Sequence, residues 1–482
     1  MRYLRLYPND ASFKADEINA GGTGNDVEAM VPGIVKTADL KKMYFNPHDK
    51  TVQFHTLTIY YENSNGEQLA ECKTMRVKYI SGVTQEIVVT PKSIDGYIAR
   101  KQKIVANIPE DTSIVFYYKV EPDYSKPLTF NIISGGTLYW KANSINNKKT
   151  IEYKKNNNNW VPITSSTEGT QIVVAAGDVV QFRGNNSGYS DGAANNFFSG
   201  TDVSFSVEGN IMSLISKENF SELATLSSDY TFKFLFNNCE SLISAGDLLL
   251  PAMNITTGCY NGLFVRCSNL ILAPELPATT VESMSYIDMF AGCSSLTTAP
   301  ELPATTLAIN CYESMFSGCT SLRKAQSVLP ATTLTEYCYS DMFQGCTSLT
   351  TAPDILATSL AYFACFAMFE YCTSLTVVPT ILPATTLAEY CYKEMFFGCT
   401  SLTKAPVLPA DVLARESYSN MFRRCTNLNY IKCLATNISA SSCTAYWVDG
   451  VSSTGTFVKD SNMPSWTTGN NGIPENWTVQ DA

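Results

Sequence analysis

A chain of 482 residues is longer than one ordinary domain, so we expect it to divide into roughly three to five units. Hydrophobic residues make up 45% of the chain, which is enough for packed cores, whereas charged residues make up only 16%. The formal net charge of −10 provides no basic surface for a phosphate backbone, so no nucleic-acid partner is expected. Sixteen Cys against two His suggest disulfides or zinc, and the spacing of the cysteines tests both possibilities.

The N-terminal sequence MRYLRLYPNDASFKADE has two Arg but no apolar run long enough for a secretory signal. Either a leader has been removed, or the protein is made in the cytoplasm. No segment approaches the roughly 18 consecutive apolar residues of a membrane span, so no membrane insertion is expected.

The first part of the chain predicts β structure. Residues 1–48 are too short for a core and are interpreted as a strand and a docking arm. Residues 49–122 contain strand patterns on both sides of an Asn65–Gly66 hairpin signal, about the size of an immunoglobulin-like β domain. Residues 123–209 show period-two alternation and turn-rich segments, which predict a β-sandwich of the jelly-roll kind.

A repeat occupies the second half of the chain. Eight segments of the type F-x-x-C-x-x-L follow one another at intervals of 28, 26, 26, 27, 26, 27 and 26 residues, within the range of leucine-rich repeats. We therefore predict a solenoid of eight repeats over 210–450 and a C-terminal cap over 451–482. The cysteines of the eight segments are Cys239, Cys267, Cys293, Cys319, Cys346, Cys372, Cys399 and Cys425.

Each repeat predicts a strand followed by a helix. After Leu296 the sequence TTAPELP is an extended stretch limited by prolines. From Leu307 to Phe316 the apolar residues fall at i, i+4, i+5, i+8 and i+9, which suggests one stripe of a short helix, with Thr305 or Thr306 as N-cap and Gly318 near its end. The predicted fold class is multidomain: N-terminal all-β immunoglobulin-like and jelly-roll-like sandwiches, then a β/α leucine-rich-repeat solenoid.

The cysteines form two repeat-locked series. In the second series, Cys311 and its equivalents are replaced by Ser285, Ala364 or Ser417 in other repeats, so the position favours a small buried side chain. In the first series, stacked equivalents would point in parallel, which is poor geometry for a disulfide. Buried free thiols are therefore favoured in both series.

No catalytic or metal site is predicted. Short Cys spacings for zinc are missing, and the two His, His48 and His55, lie outside the repeats, so a Cys–His nucleophile is not expected. Glu275 and Glu301 occupy equivalent positions and are interpreted as solvated residues, not as a general acid and base. The Asn185–Asn196 loop is too loose for a calcium-loop match. We predict a protein that is not an enzyme and has no cofactor.

The repeat unit LTTAPELPATTLA..CY..MF.GCTSL closely resembles the BspA-type leucine-rich repeats of bacterial surface proteins and of proteins of their phages. The segment from PLTFNIISGGTLYWKA to SFSVEGNIMSLI resembles the β domain that often precedes such repeats, and GTFVKDSNMPSW to GIPENWTVQDA resembles their C-terminal cap. The opening YLRLYPNDASFKAD is similar to N-terminal segments of virion-associated proteins of crAss-like bacteriophages. The resemblance implies adhesion and recognition, without naming a ligand.

The leading hypothesis is a bacteriophage virion protein, a fibre or decoration protein assembled in the host cytoplasm. Its N-terminal region would bind other virion proteins, its solenoid would bind a host surface protein or a glycan, and a homo-oligomer is expected. One alternative is a bacterial cell-surface adhesin whose signal peptide has been removed. Another is a purely structural virion component.

The variable pairs that follow each motif Leu are the candidate ligand-binding face, because repeat proteins bind through extended faces. A solvated surface without a partner is the alternative for these residues. Trp140 and Trp160 could stack on sugar rings, although a buried core position is favoured for both. The residues chosen for contact are Thr297, Thr298, Arg323, Lys324, Thr350, Thr351, Lys404 and Tyr430.

Overall fold

The computed structural model describes most of the chain in two compact units, Met1–Pro122 and Asp123–Ala482. Most of the predicted docking arm over 1–48 and the Asn65–Gly66 signal lie outside the described residues. Among the described residues, no helix has both the length and the apolar character that a membrane crossing needs. The described residues are 4–5, 28–29, 52–63, 67–80, 86–99, 104–107, 110–463 and 466–482.

The first unit contains a four-stranded sheet in the order β4-β3-β8-β6 and two further strand pairs, β1-β2 and β5-β7. Strand β3 pairs antiparallel with β4 and parallel with β8. Leu57, Ile59 and Tyr61 alternate with less buried residues along β3, as expected for a strand with one face on a core. The strands are β1 Leu4–Arg5, β2 Glu28–Ala29, β3 Val52–Asn63, β4 Gln68–Ile80, β5 Glu86–Val89, β6 Tyr97–Ala99, β7 Ile104–Asn107 and β8 Thr112–Val120.

The second unit begins with a β-sandwich. Its larger sheet has the order β12-β11-β14-β9-β16-β17 and its smaller sheet the order β13-β10-β15. Phe130 of β9 lies 5.0 Å from Phe198 of β15, ring centroid to centroid, so the two sheets share an aromatic core. Both units contain more than one β-sheet, which confirms the prediction that multi-sheet β domains precede the repeats. The strands are β9 Leu128–Ser134, β10 Gly136–Ala142, β11 Thr150–Lys155, β12 Val161–Thr164, β13 Thr170–Val174, β14 Val179–Gly184, β15 Asn196–Thr201, β16 Ser204–Asn210 and β17 Leu242–Leu249.

Strand β17 joins the sandwich to the repeats, because it pairs parallel with β16 although it belongs to the first repeat. The buried residues of the sandwich and of the repeats form one continuous hydrophobic cluster. Phe236 of the first repeat lies 6.0 Å from Phe130 and 5.7 Å from Phe198. The repeat stack therefore grows directly from the core of the sandwich.

The predicted β/α solenoid is wrong, because the described residues contain no α-helix and only two short 3₁₀-helices, Ile211–Leu214 and Phe220–Glu222. In place of the predicted helix from Leu307, the chain forms a series of tight turns. The backbone takes positive φ at every fourth residue, 57° at Asn310, 53° at Ser314 and 72° at Gly318. A right-handed helix cannot contain such residues, since left-handed backbone angles end it.

The turns distribute their backbone hydrogen bonds in two directions. The N–H of Met289 donates to the carbonyl of Tyr286 within the same turn, at 3.2 Å. The N–H of the next residue, Phe290, donates instead to the carbonyl of Met315 in the following coil, at 2.9 Å. Alternate residues repeat this pattern along each turn segment, so buried N–H groups are satisfied partly by the neighbouring coil. No coil could satisfy them alone.

Nine such turn segments occur in the described residues, one more than the cysteine motif predicts. The ninth has positive φ at Ser442, Tyr446 and Gly450. It carries Val451 where the other eight carry the motif Cys. Its Cys443 follows the positive-φ residue Ser442 as Cys311 follows Asn310, so Cys443 belongs to the second cysteine series.

The extended side of each coil contributes little regular sheet. Parallel bridges connect successive coils there, for example Thr280 with Thr306 and Thr298 with Lys324. The remaining short strands are β18 Val328–Leu329, β19 Asp354–Ile355, β20 Tyr430–Cys433, β21 Thr456–Lys459 and β22 Thr478–Asp481, of which the last three form a parallel sheet at the C-terminal end.

Candidate ligand-binding face

The variable pairs that follow each motif Leu are exposed along one edge of the repeat stack. Tyr430 is half-buried, and the other seven residues chosen from the sequence are exposed. We call these residues, together with the equivalent pairs of the neighbouring coils, the pair row. Its members are Ile271, Leu272, Thr297, Thr298, Arg323, Lys324, Thr350, Thr351, Thr376, Val377, Thr403, Lys404, Asn429 and Tyr430.

Backbone hydrogen bonds fix the register of the pair row. The N–H of Arg323 donates to the carbonyl of Thr297 at 3.0 Å, and the N–H of Ala299 donates to the carbonyl of Lys324 at 2.9 Å. Parallel bridges of the same kind join Lys404 to Tyr430. Because parallel backbones lie about 4.8 Å apart, equivalent side chains of adjacent coils stand side by side. The row therefore presents hydroxyl, ammonium and guanidinium groups in a regular array.

The basic residues of the pair row lie on two coils, Lys404 on one and Arg323 with Lys324 on the other, and the two coils differ in their surroundings. The Lys404 ammonium lies 5.1 Å from the centre of the Tyr430 ring, which is the geometry of a cation–π contact. Arg323 and Lys324 are consecutive, and both are exposed on the same coil. Arg323 and Lys324 can therefore contact an anionic or hydroxyl-rich group without giving up a cation–π contact like that of Lys404.

The cysteines of the first series form a ladder of hydrogen bonds inside the stack. The Cys293 thiol donates to the carbonyl of Phe264 at 3.1 Å, and the Cys319 thiol donates to the carbonyl of Phe290 at 3.1 Å. The same contact recurs at each later motif Cys. Burial raises the pKa of the Cys319 thiol to about 12, so it remains protonated and can donate.

All sixteen cysteines are free thiols in the described structure, and only Cys72 is exposed. A thiol fills a core position as a small, largely apolar side chain and also donates a weak hydrogen bond. The invariant Cys of the motif is thereby explained as a packing and hydrogen-bonding residue.

The two Trp residues considered for sugar stacking have protein partners. Trp140 is fully buried, and its indole N–H donates to the carbonyl of Lys149 at 2.9 Å. Trp160 is half-buried, with the Arg183 guanidinium 4.2 Å from its ring centre and the Lys154 ammonium 5.2 Å away. The favoured core position is thus found for Trp140, whereas Trp160 is only half-buried and has two cations over its ring.

The Asn185–Asn196 loop is organised by its own carboxylate. Asp191 accepts hydrogen bonds from the N–H groups of Ala193 and Ala194, at 3.0 and 2.7 Å. These bonds hold the pKa of the Asp191 carboxyl below its ordinary value, Ala194 contributing most. Across the described part of the chain, no group of three or more His, Cys, Asp or Glu has a metal-binding arrangement.

Sequence reasoning missed a group of aromatic side chains on the turn side of three coils. Aromatic residues suggest burial, but each of these rings is half-buried or exposed. The signal in the sequence was the residue just before the small-residue position, which is aromatic in these three coils but Gly258 or Asn310 in others. We call this group the aromatic cluster: Tyr337, Tyr362, Phe363, Phe366 and Tyr390.

Comparison with known proteins gives one described likeness. No family model matches the chain, and no curated protein matches it. Two chains of solved structures match, and one is a leucine-rich repeat protein from Bacteroides ovatus whose crystal structure was determined at 1.19 Å resolution. It is 13% identical, with a TM-score of 0.24, and the match covers 58% of this chain and 86% of that one. A likeness at this TM-score says nothing about what this chain binds.

Proposed function

We propose that this protein is a bacteriophage virion protein, a fibre or decoration protein, that attaches to a host or mucosal surface through the pair row. The observation that carries the proposal is the regular exposure of variable pairs on consecutive coils, with the two adjacent cations Arg323 and Lys324 in the third of the seven pairs. An extended repeated face suits a repetitive surface, because several weak contacts add together.

The rest of the proposal concerns assembly. The N-terminal unit would anchor the chain to other virion proteins, and several copies would be grouped on one particle. The phage connection rests on the resemblance of the N-terminal sequence to virion proteins. Mass spectrometry of purified particles should then find this chain at a fixed stoichiometry. Its consistent absence from particles would overturn the virion part of the proposal and leave the cell-surface adhesin.

The binding part of the proposal is tested with the double variant Arg323→Ala/Lys324→Ala in the full chain. Loss of two exposed cations from the row should weaken binding to host cells by about tenfold or more, since hydrogen bonds to charged groups contribute about 1.5 to 3 kcal/mol each. Binding is measured by flow cytometry with fluorescently labelled protein.

A matched control removes two exposed cations elsewhere. Lys92 and Lys148 are both exposed and outside the pair row, so Lys92→Ala/Lys148→Ala changes the net charge equally. The control should bind as the unchanged protein does. Equal binding by the Arg323/Lys324 variant would remove the pair row from the proposal, and equal weakening by both variants would show a general charge effect instead.

A further inference from the structure

The aromatic cluster contains a three-ring stack that runs along successive coils. Tyr337 lies 5.1 Å from Phe363, and Phe363 lies 4.6 Å from Tyr390, ring centroid to centroid, with the planes within 7° of parallel in both pairs. Tyr362 stands at 73° to 78° to all three rings and is 38% exposed. A set of rings with partly solvated phenol groups thus forms one patch on the turn side.

The backbone under this stack does not favour aromatic residues. Tyr337, Phe363 and Tyr390 have φ of 54°, 53° and 61°, a left-handed conformation that costs bulky residues more than Gly or Asn. Gly258 and Asn310 occupy the same position in two other coils, and Tyr230 and Met284 occupy it in two more. The position therefore tolerates large side chains, and the aromatic residues of three consecutive coils come together despite a backbone conformation that does not favour them.

Charged groups of both signs lie next to the rings. Glu336 and Glu389, which precede Tyr337 and Tyr390 in the chain, are exposed. The Lys393 ammonium and the Arg415 guanidinium lie 5.4 and 5.5 Å from the centre of the Tyr390 ring. Partial burial raises the pKa of the Tyr337 phenol, with further contributions from Tyr362 and nearby glutamates, so the phenol remains a hydrogen-bond donor. The patch combines apolar ring surface with hydrogen-bond donors and acceptors.

We infer that the aromatic cluster is a second binding surface, which takes a neutral carbohydrate. A sugar has an apolar C–H face, which packs on aromatic rings, and hydroxyl groups, which donate to carboxylates and accept from phenols. Nucleic-acid bases would also stack, but the formal net charge of −10 disfavours a partner with a phosphate backbone. A protein partner is less suitable, because each partner buries roughly 800 Å² in a stable protein interface. The patch spans three coils, only about 10 to 15 Å along the stack, which is too short for an interface of that area.

The inference is tested with the full chain on an array of neutral oligosaccharides built from glucose, xylose, mannose or galactose. Tyr362→Ala is the test variant, because Tyr362 is the most exposed ring of the cluster and lies outside the three-ring stack and its positive-φ positions. We expect the unchanged protein to bind at least one of these sugars, and Tyr362→Ala to lower that affinity by about tenfold. Tyr362→Phe should keep most of it.

Two controls separate sugar binding at the aromatic cluster from sugar binding elsewhere on the chain. Tyr371 is 43% exposed and packs edge-on against Phe397, outside the aromatic cluster, so Tyr371→Ala should leave sugar binding unchanged. Arg323→Ala/Lys324→Ala should also leave it unchanged, which distinguishes this surface from the pair row. Thermal unfolding of each variant checks that the fold is retained. Absence of binding by the unchanged protein to every neutral sugar, or full binding by Tyr362→Ala, would overturn the inference.

Discussion

The β-sandwich over 123–209 and the repeat stack that follows it bury aromatic rings in different ways. In the sandwich, Phe130 lies within 6.0 Å of four other phenylalanine rings from both sheets and from the first repeat. In the stack, Phe316 has one ring on each side, Phe290 at 5.6 Å and Phe343 at 5.4 Å. The sandwich core is therefore joined by long-range contacts, whereas the repeat core depends on nearest neighbours.

The largest effect that tests this difference is expected from Phe316→Ala. Removing a fully buried ring should lower the free energy of unfolding by about 3 to 5 kcal/mol. Because coupling in the stack is between neighbours, amide hydrogen exchange should accelerate in the coils around Phe316 and change little in the sandwich. Mass-resolved hydrogen exchange on the full chain measures both effects.

Phe130→Ala is the matched change on the other side of the comparison. It removes an equally buried ring that contacts both sheets and Phe236. In this variant, amide hydrogen exchange should accelerate throughout the sandwich and into the first coil. If Phe316→Ala also accelerated exchange uniformly from 123 to 482, the two regions would behave as one cooperative body and the comparison would fail.

The repeats themselves could be predicted from the sequence, but their local conformation could not. The regular cysteines and the alternation in the sandwich strands are strong signals, because each repeats many times. The predicted helix failed because its apolar spacing is also the spacing of a four-residue turn. Cys311 and Met315, four residues apart, lie about 40° apart on a helix but are equivalent in a series of four-residue turns. Cys311 and Phe316 fall about 140° apart on a helix, which is too wide for one narrow stripe.

The candidate sites divide in a similar way. The exposure of the pair row could be predicted, because variable residues beside an invariant Leu occupy the same place in every coil. The aromatic cluster could not, since aromatic residues suggest burial and three adjacent coils must be stacked before Tyr337, Phe363 and Tyr390 meet. Contacts between residues 26 or 27 positions apart arise only from the stacking of coils.

A smaller effect separates the two cysteine series within the stack. Cys319→Ala should lower the free energy of unfolding by about 1 to 3 kcal/mol, since it removes buried sulfur and leaves the carbonyl of Phe290 without its thiol donor. Cys311→Ala is the matched control, because the same position holds Ala364 in another coil. Cys311→Ala should lower the free energy of unfolding by about half as much as Cys319→Ala, or less.

Chemical denaturation of the two cysteine variants measures the difference. Both side chains are fully buried, so a difference in exposure cannot account for the result. Equal losses for Cys319→Ala and Cys311→Ala would mean that packing alone selects the motif Cys and that the thiol ladder adds nothing to nearest-neighbour coupling.

The two regions also differ in how they hold carboxylates. In the sandwich, Glu152 accepts from Lys217 at 2.8 Å and from Arg183 at 2.7 Å, and these contacts, Lys217 first, hold the pKa of its carboxyl below the ordinary value. In the stack, burial raises the pKa of the Asp341 carboxyl, and the neighbouring Glu313 and Glu394 raise it further. The Ser340 hydroxyl, which donates to Asp341 at 2.6 Å, opposes this only in part.

The smallest predicted effect follows from the opposite signs of these shifts. Asp341→Asn should raise the free energy of unfolding at pH 7 by at most about 1 kcal/mol, because the native state binds the Asp341 proton more tightly than the unfolded state does. That gain should shrink as the pH falls through the raised pKa of Asp341 toward the ordinary Asp value near 4. Glu152→Gln should cost at most about 1 kcal/mol at pH 7, and that cost should shrink only below the ordinary Glu value near 4.3.

Denaturant unfolding of both variants between pH 3 and pH 7 measures the two profiles. Asn also suits the positive φ of 54° at position 341, which would stabilise the variant at every pH, so the change with pH is the diagnostic quantity and not the value at pH 7 alone. A pH-independent gain for Asp341→Asn would assign the whole effect to the backbone. A gain that disappears in acid would show that the stack carries carboxylates whose ionisation weakens it, whereas the sandwich uses the ionised Glu152 to stabilise its sheet.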